Sequence, residues 1–420
     1  MVNKNIIRLF TVVLILLQVF VPSSGVPAGR GANPRTSPYP FLKIRLNKIQ
    51  NSAAGMEGFY KKLHILKSQD AGKITIFHIG DSHIQADFMT GVIRESLQAD
   101  LGNAGRGLIF PYGLAKTNGP GDPKMTSNVV WRAQRSSWPV GDMPTGINGF
   151  AISTSNPGAT IDIAFSDNTS AQNVFNKITL YCEKGPEAFE FQIAETTDAY
   201  DTLSLTESTP YTVTFTLSAP TSHIRLAVRK TKATQRHAVL YGISLENGKE
   251  GILYHTAGVN GASFKTFNES AYFIPHLNIL KPDLVIISLG SNDVGESDFD
   301  PATFRAQIDE LVQSILKDNP DVSILLTLPP DFGKAGNTLL RQKMSRARNV
   351  MIGYCKRNGQ AYWDLYMVMG GYGSIGKWQK SSLVQKDAMH FRKAGYQLQG
   401  RLFFQALMKG LRDYESNRLE

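Results

Sequence analysis

Two periodicities divide this sequence, and the order in which they alternate limits the folds open to it. Short apolar runs rich in branched residues occur at 73–79, 251–257, 284–289, 322–328 and 361–365, the texture of strands buried on both faces of a parallel sheet. Apolar stripes of helical period fit between most of them: Phe88, Val92, Ile93 and Leu97, then Phe304, Ile308, Leu311, Val312 and Ile315, with Leu398, Leu402, Ala406 and Leu407 after the last. This alternation predicts an open α/β sheet. Between about residues 121 and 248 the period drops to two. "YTVTFTLS" sets Val213, Phe215 and Leu217 against Thr212, Thr214 and Thr216, and "ATIDIAFS", "KITLYCE", "FEFQIAE" and "HIRLAVRK" behave alike, which predicts the half-buried strands of an antiparallel sandwich. Because α/β texture lies on both sides, the β region reads as one domain inserted into another.

In open α/β sheets the ligand crevice lies beyond the carboxyl ends of the strands. The loops there read "GDSH" after the first run, "GVNGAS" after the second and "GSND" after the third, and "DAMH" follows the fifth run before the last helix. This topology gathers Ser82, Asn292, Asp387 and His390 at one edge, although they are far apart in sequence. A serine is a poor nucleophile near neutral pH without an adjacent base oriented by a third group. The three-residue spacing of Asp387 and His390 lets the carboxylate hold one imidazole nitrogen while the other faces Ser82. The backbone N–H groups of Ser82 and Gly261 and the Asn292 amide are the candidate donors to a developing oxyanion.

Each residue has a plainer role open to it. "GDS" after a strand also makes a turn and a helix cap; Gly261 can begin a helix, and Asn292 can cap one. Asp81 is read as structural, Asp293 as a cap, His78 and His255 as satisfied core histidines, and His83 is given no role. "GGYGSIGKW" has the glycine and lysine spacing of a phosphate loop, but Trp378 stands where a Ser or Thr must hold Mg²⁺. That loop is read instead as a cleft wall, with Trp378 a platform for a sugar.

With Ser82, Gly261, Asn292, Asp387 and His390 in four ordered blocks, the chain resembles the SGNH (GDSL-like) hydrolase family over residues 73 to 120 and 249 to 412. "DAMHFRKAGYQLQG", with Gly395 and Tyr396 in the helix after the histidine, is similar to the family's closing block. The resemblance implies a flavodoxin-like α/β/α sandwich around a five-stranded parallel sheet, interrupted here by a jelly-roll-like β-sandwich. "GDSH", together with a β insertion between the first two blocks, resembles bacterial peptidoglycan O-acetylesterases, whose insertion is similar to a carbohydrate-binding module. That implies hydrolysis of acetyl esters on a glycan, with peptidoglycan favoured, and no cofactor or metal. A lipase or thioesterase, an O-acetyltransferase, and a glycan-binding protein with an inert hydrolase domain remain open.

The remaining features bound the setting. Lys4 and Arg8 precede an apolar to weakly polar run over 9–21, and Pro22, Ser23, Ser24, Gly25 and Ala28 follow, the order of a secretory signal. The run is shorter than the ~20 residues a bilayer span needs. Residues 1–25 are therefore expected to be a cleaved leader, 26–120 with 249–420 the hydrolase domain, and 121–248 the insertion. A periplasmic or secreted place of action without an integral membrane segment follows. Two cysteines exclude a disulfide framework. A formal charge of +10 suits an anionic glycopolymer or a membrane surface, or serves solubility, and no Lys/Arg block points to nucleic acid.

Overall fold

The computed structural model describes residues 38–418 apart from 70, 171, 195–206 and 335; the leader expected over 1–25 lies outside them. Five strands run parallel: β1 (Lys73–Gly80), β2 (Gly251–Gly258), β3 (Leu284–Ser288), β4 (Ser323–Thr327) and β5 (Ala361–Trp363), in the order β2-β1-β3-β4-β5. Outside β5 lies the antiparallel strand Ile49–Gln50, two residues that the periodicity does not announce. Seven of the eight residues of β1 are buried, as apolar runs covered on both faces require.

The two faces have separate cores. Ile74, Ile76, Ile286 and Leu325 pack with helices Glu57–Gln69, Phe88–Leu101 and Lys393–Ser416. Phe77, Ile79, Val285 and Ile287 join helices Phe273–Leu280, Pro301–Asp318 and Thr338–Asn358. The chain leaves β1 for β2 on one side and then crosses to β3 on the other, so the crevice of this sheet opens beyond the ends of β1 and β3.

Strands between Gly107 and Glu246 form two antiparallel sheets. One has seven strands, with Ala238–Glu246 pairing Phe175–Cys182, Phe150–Thr154 and Gly107–Ile109, and the other has four. Gly107–Ile109 thus joins the β region ahead of residue 121. Ile178, Leu180 and Leu240 from the first sheet and Ile161, Ile163, Ile224 and Leu226 from the second share one core, continuous with the α/β face that holds Phe77.

The β region is fastened to the α/β region by an aromatic joint. The imidazole of His276 lies 5.2 to 5.6 Å, ring centre to ring centre, from Tyr181, Tyr211, Tyr241 and Tyr272. Ile147 N–H donates to His276 Nδ1 at 3.2 Å, and Thr145 and Ser270 share a hydroxyl hydrogen bond. Burial lowers the His276 pKa to about 3, so the ring at the joint is neutral in ordinary buffers. Among the described residues no helix is long and apolar enough to cross a membrane, and Cys182 and Cys355 are both free and buried.

Candidate active site

β1 runs out at Gly80, and the chain turns at Asp81. Its buried carboxylate accepts the His83 N–H at 2.9 Å and caps the short helix Ser82–Gln85, the structural role expected of Asp81. Burial pushes that carboxyl above its usual range. Ser82 opens the helix with its Oγ 3.0 Å from His390 Nε2.

The loop after β2 is held against this turn. A Cβ on Gly258 would collide with the Gln85 backbone, so only glycine allows the approach. Val259 N–H donates to the Gly80 carbonyl at 3.0 Å, and Asn260 N–H to Gln85 Oε1 at 2.6 Å. Gln85 Nε2 and Asn260 Nδ2 both reach Asn118. Gly261 follows with φ +83°, a conformation that side chains disfavour. Among the described residues no protein acceptor takes the N–H of Ser82 or Gly261.

From the loop after β3, Asn292 donates its Nδ2 to the Ala262 carbonyl at 2.8 Å, which brings the third block onto the second. Asp293 is a cap, but for a neighbour: its Oδ1 accepts the Phe264 N–H at 3.2 Å, at the start of helix Phe264–Asn268. Its other oxygen has no partner, and burial raises its pKa to about 7.

His390 Nδ1 lies 2.7 Å from Asp387 Oδ2, while Asp387 Oδ1 accepts the Met389 and His390 N–H groups at 3.0 Å each. Burial works to raise the Asp387 carboxyl, but the imidazole and those two N–H groups outweigh it and hold it below the usual carboxylate range. An ionised carboxylate only accepts hydrogen bonds, so the proton of neutral His390 is on Nδ1 and Nε2 is free to accept from Ser82. Side-chain exposures of 35% for His390 and 46% for Asp387 leave this end of the site open to a large substrate.

Other sequence expectations divide. His78 is satisfied in the core, its ring nitrogens 2.7 Å from Tyr254 Oη and 2.6 Å from Ser288 Oγ. His255 is equally buried, but neither ring nitrogen has a partner, and burial lowers its pKa to about 3. His83 shares a 3.0 Å hydrogen bond with Tyr396 Oη, so it braces the closing helix. Trp378 is not a sugar platform: its side chain is fully buried beside Phe41 and Phe391 and donates its indole N–H to the Met369 carbonyl at 2.8 Å. A ring with no free face cannot stack on a ligand. The Gln85, Asn118 and Asn260 network has no motif that would have revealed it, because its three members meet only in the fold.

Residues 231–398 match the model of the GDSL-like Lipase/Acylhydrolase family, a span that holds Gly261, Asn292 and Asp387 with His390 but leaves Ser82 upstream. No curated protein matches the chain. Among solved structures it is similar to a peptidoglycan O-acetylesterase, 21% identical, covering 86% of this chain and 98% of that chain with a TM-score of 0.69. A lipase/acylhydrolase from Enterococcus faecalis is 23% identical over 38% of this chain and 76% of its own, with a TM-score of 0.29. An acetylxylan esterase from Geobacillus stearothermophilus is 20% identical over 38% and 73%, with a TM-score of 0.28. The matched span holds the later sequence blocks in their expected order, and over residues 231–398 the chain is similar to the GDSL-like lipase/acylhydrolase family, a likeness that with the α/β fold supports a carboxylic ester hydrolase.

Proposed function

We propose that this chain is a serine esterase that removes O-acetyl groups from a glycan, peptidoglycan first among them. The observation that carries this reading is the hydrogen-bonded line from Ser82 Oγ through His390 to Asp387. Ser82 Oγ attacks the acetyl carbonyl carbon as its proton passes to His390 Nε2, and Asp387 stays ionised beside the imidazolium. The N–H groups of Ser82 and Gly261 and the Asn292 amide receive the oxyanion. Collapse breaks the bond to the sugar oxygen, which takes the proton from Nε2 and leaves as the free hydroxyl. Water then attacks the acetyl-serine, giving its proton to His390, and acetate departs as Ser82 is reprotonated.

The exposed acid and histidine suit a leaving group too large to enter a tunnel. The likeness to a peptidoglycan O-acetylesterase over both the α/β and the β regions favours that polymer. An export leader over 1–25, a periplasmic or secreted place of action, and a β domain over 121–248 that handles glycan belong to the same reading. The test is carboxylic acid release by the full chain and by Ser82→Ala: acetate from O-acetylated peptidoglycan and acetylated xylan, and fatty acid from a long-chain acyl ester. Wild type should release acetate from peptidoglycan, and Ser82→Ala, although folded, should release none. Preference for the long-chain ester, or substantial turnover by the variant, would overturn the proposal.

A further inference from the structure

Four tryptophans occur in the chain, and three of them, Trp131, Trp363 and Trp378, are buried, whereas Trp138 is 70% exposed. Of the seven large hydrophobic side chains exposed among the described residues, three, Val130, Trp138 and Val140, fall within eleven residues of the β region. An exposed tryptophan with two exposed valines so near it in sequence makes this stretch of the β region a candidate binding surface.

The turn that presents Trp138 is fastened on both sides. Ser136 N–H donates to the Gly149 carbonyl at 2.9 Å, and Ser137 Oγ to the Asn260 carbonyl at 2.7 Å. On the far side the buried Gln134 side chain accepts the Val140 N–H and donates to the Gly141 carbonyl. Asn260 is the residue whose N–H holds Gln85, three positions after Ser82, and it directly precedes Gly261. Two hydrogen bonds therefore connect the Trp138 turn to the nucleophile helix. Beyond the turn a groove runs along the β region past Val130, Arg132, Asp142 and the Glu183–His237 pair. Apolar faces beside charged and hydroxyl-bearing groups match a ligand with a C–H face and an O–H rim, which is a pyranose ring. A lipid chain would leave those polar groups unpaired at a cost.

We propose that Trp138 is the platform on which one sugar of a glycan strand stacks while an acetyl group on another sugar of the same strand reaches Ser82, the strand continuing along the Arg132 and Asp142 groove. This rests on the esterase reading above and assigns the substrate-positioning residue that Trp378 cannot be. An aromatic anchor of this kind contributes about tenfold in affinity, about 1.4 kcal/mol.

The first test uses Ser82→Ala, which holds substrate without cleaving it, titrated with muramidase-released O-acetylated peptidoglycan fragments while tryptophan emission is followed. With three of four indoles buried, a saturable change in emission reports Trp138, and it should vanish when Trp138→Ala is added. The second test is the ratio of kcat/KM on the polymer to kcat/KM on an aryl acetate. Trp138→Ala should lower that ratio about tenfold through KM for the polymer, and Trp138→Phe should restore most of it. An unchanged ratio in Trp138→Ala, or an emission change that survives it, would overturn the platform. If wild type released no acetate from the polymer yet the Trp138-dependent emission change remained, the platform would stand and the esterase reading would fall.

Discussion

The hydrogen bond from Asn292 Nδ2 to the Ala262 carbonyl uses one of the two N–H groups on that nitrogen. It orients the amide and leaves the second N–H for charge that appears on a substrate oxygen. Asn292→Ala should lower kcat by about 10²- to 10³-fold with little change in KM, measured by initial rates on an aryl acetate. Normal kcat would reduce Asn292 to a brace for the Gly261 loop. At this scale the sequence was readable wherever the chemistry demands a residue type at a strand end: Ser82, Gly261, Asn292, Asp387 and His390 all fall at one end of the sheet. It was not readable for the tryptophans. Trp138 and Trp378 both lie in glycine- and serine-containing stretches, and what separates them is contact with Phe41 and Phe391, which covers one ring and spares the other.

Helix Phe88–Leu101 follows the nucleophile turn, and its anchor is electrostatic. Asp87, with its side chain almost buried, accepts from Arg94 and Arg106 at 2.8 Å each, and from Thr90. Arg106 directly precedes the strand that enters the antiparallel sheet, so this one carboxylate joins helix Phe88–Leu101 to the start of the β region. Burial would raise its pKa, but the two guanidinium groups outweigh that and hold it below the ordinary value. The stabilisation is therefore complete above the unfolded carboxylate pKa and disappears as pH falls through the lower folded value. Asp87→Ala strands two buried cations and should cost about 3 to 5 kcal/mol at pH 7 in urea unfolding, with wild type and variant converging in acid. Equal urea midpoints at pH 7 would mean the guanidinium groups find other partners. None of this was legible in advance, since an Asp near two Arg residues in sequence is ordinarily a solvated surface. The five parallel strands were legible because each is buried on both faces; Ile49–Gln50 was not, because two residues carry no period.

Across the whole molecule the β region was visible as a change of period from 3.6 to two, while its attachment was not, because the tyrosines around His276 come from both regions and from positions far apart in sequence. That attachment sets a length. A neutral, packed imidazole at the joint, a hydroxyl pair beside it and Ser137 hydrogen-bonded to Asn260 fasten the β region at two places, so under the platform proposed above the span from Trp138 to Ser82 acts as a fixed caliper laid along the substrate. Under the proposed esterase and platform roles, an acetyl group is removed only when the strand extends at least that far beyond it in the direction of the groove. Exhaustive digestion of O-acetylated glycan should accordingly leave acetyl groups on the sugars nearest one end of each strand, detectable by mass spectrometry of end-labelled fragments. Even loss of acetyl groups along the whole strand would show that gripping and cutting are independent events.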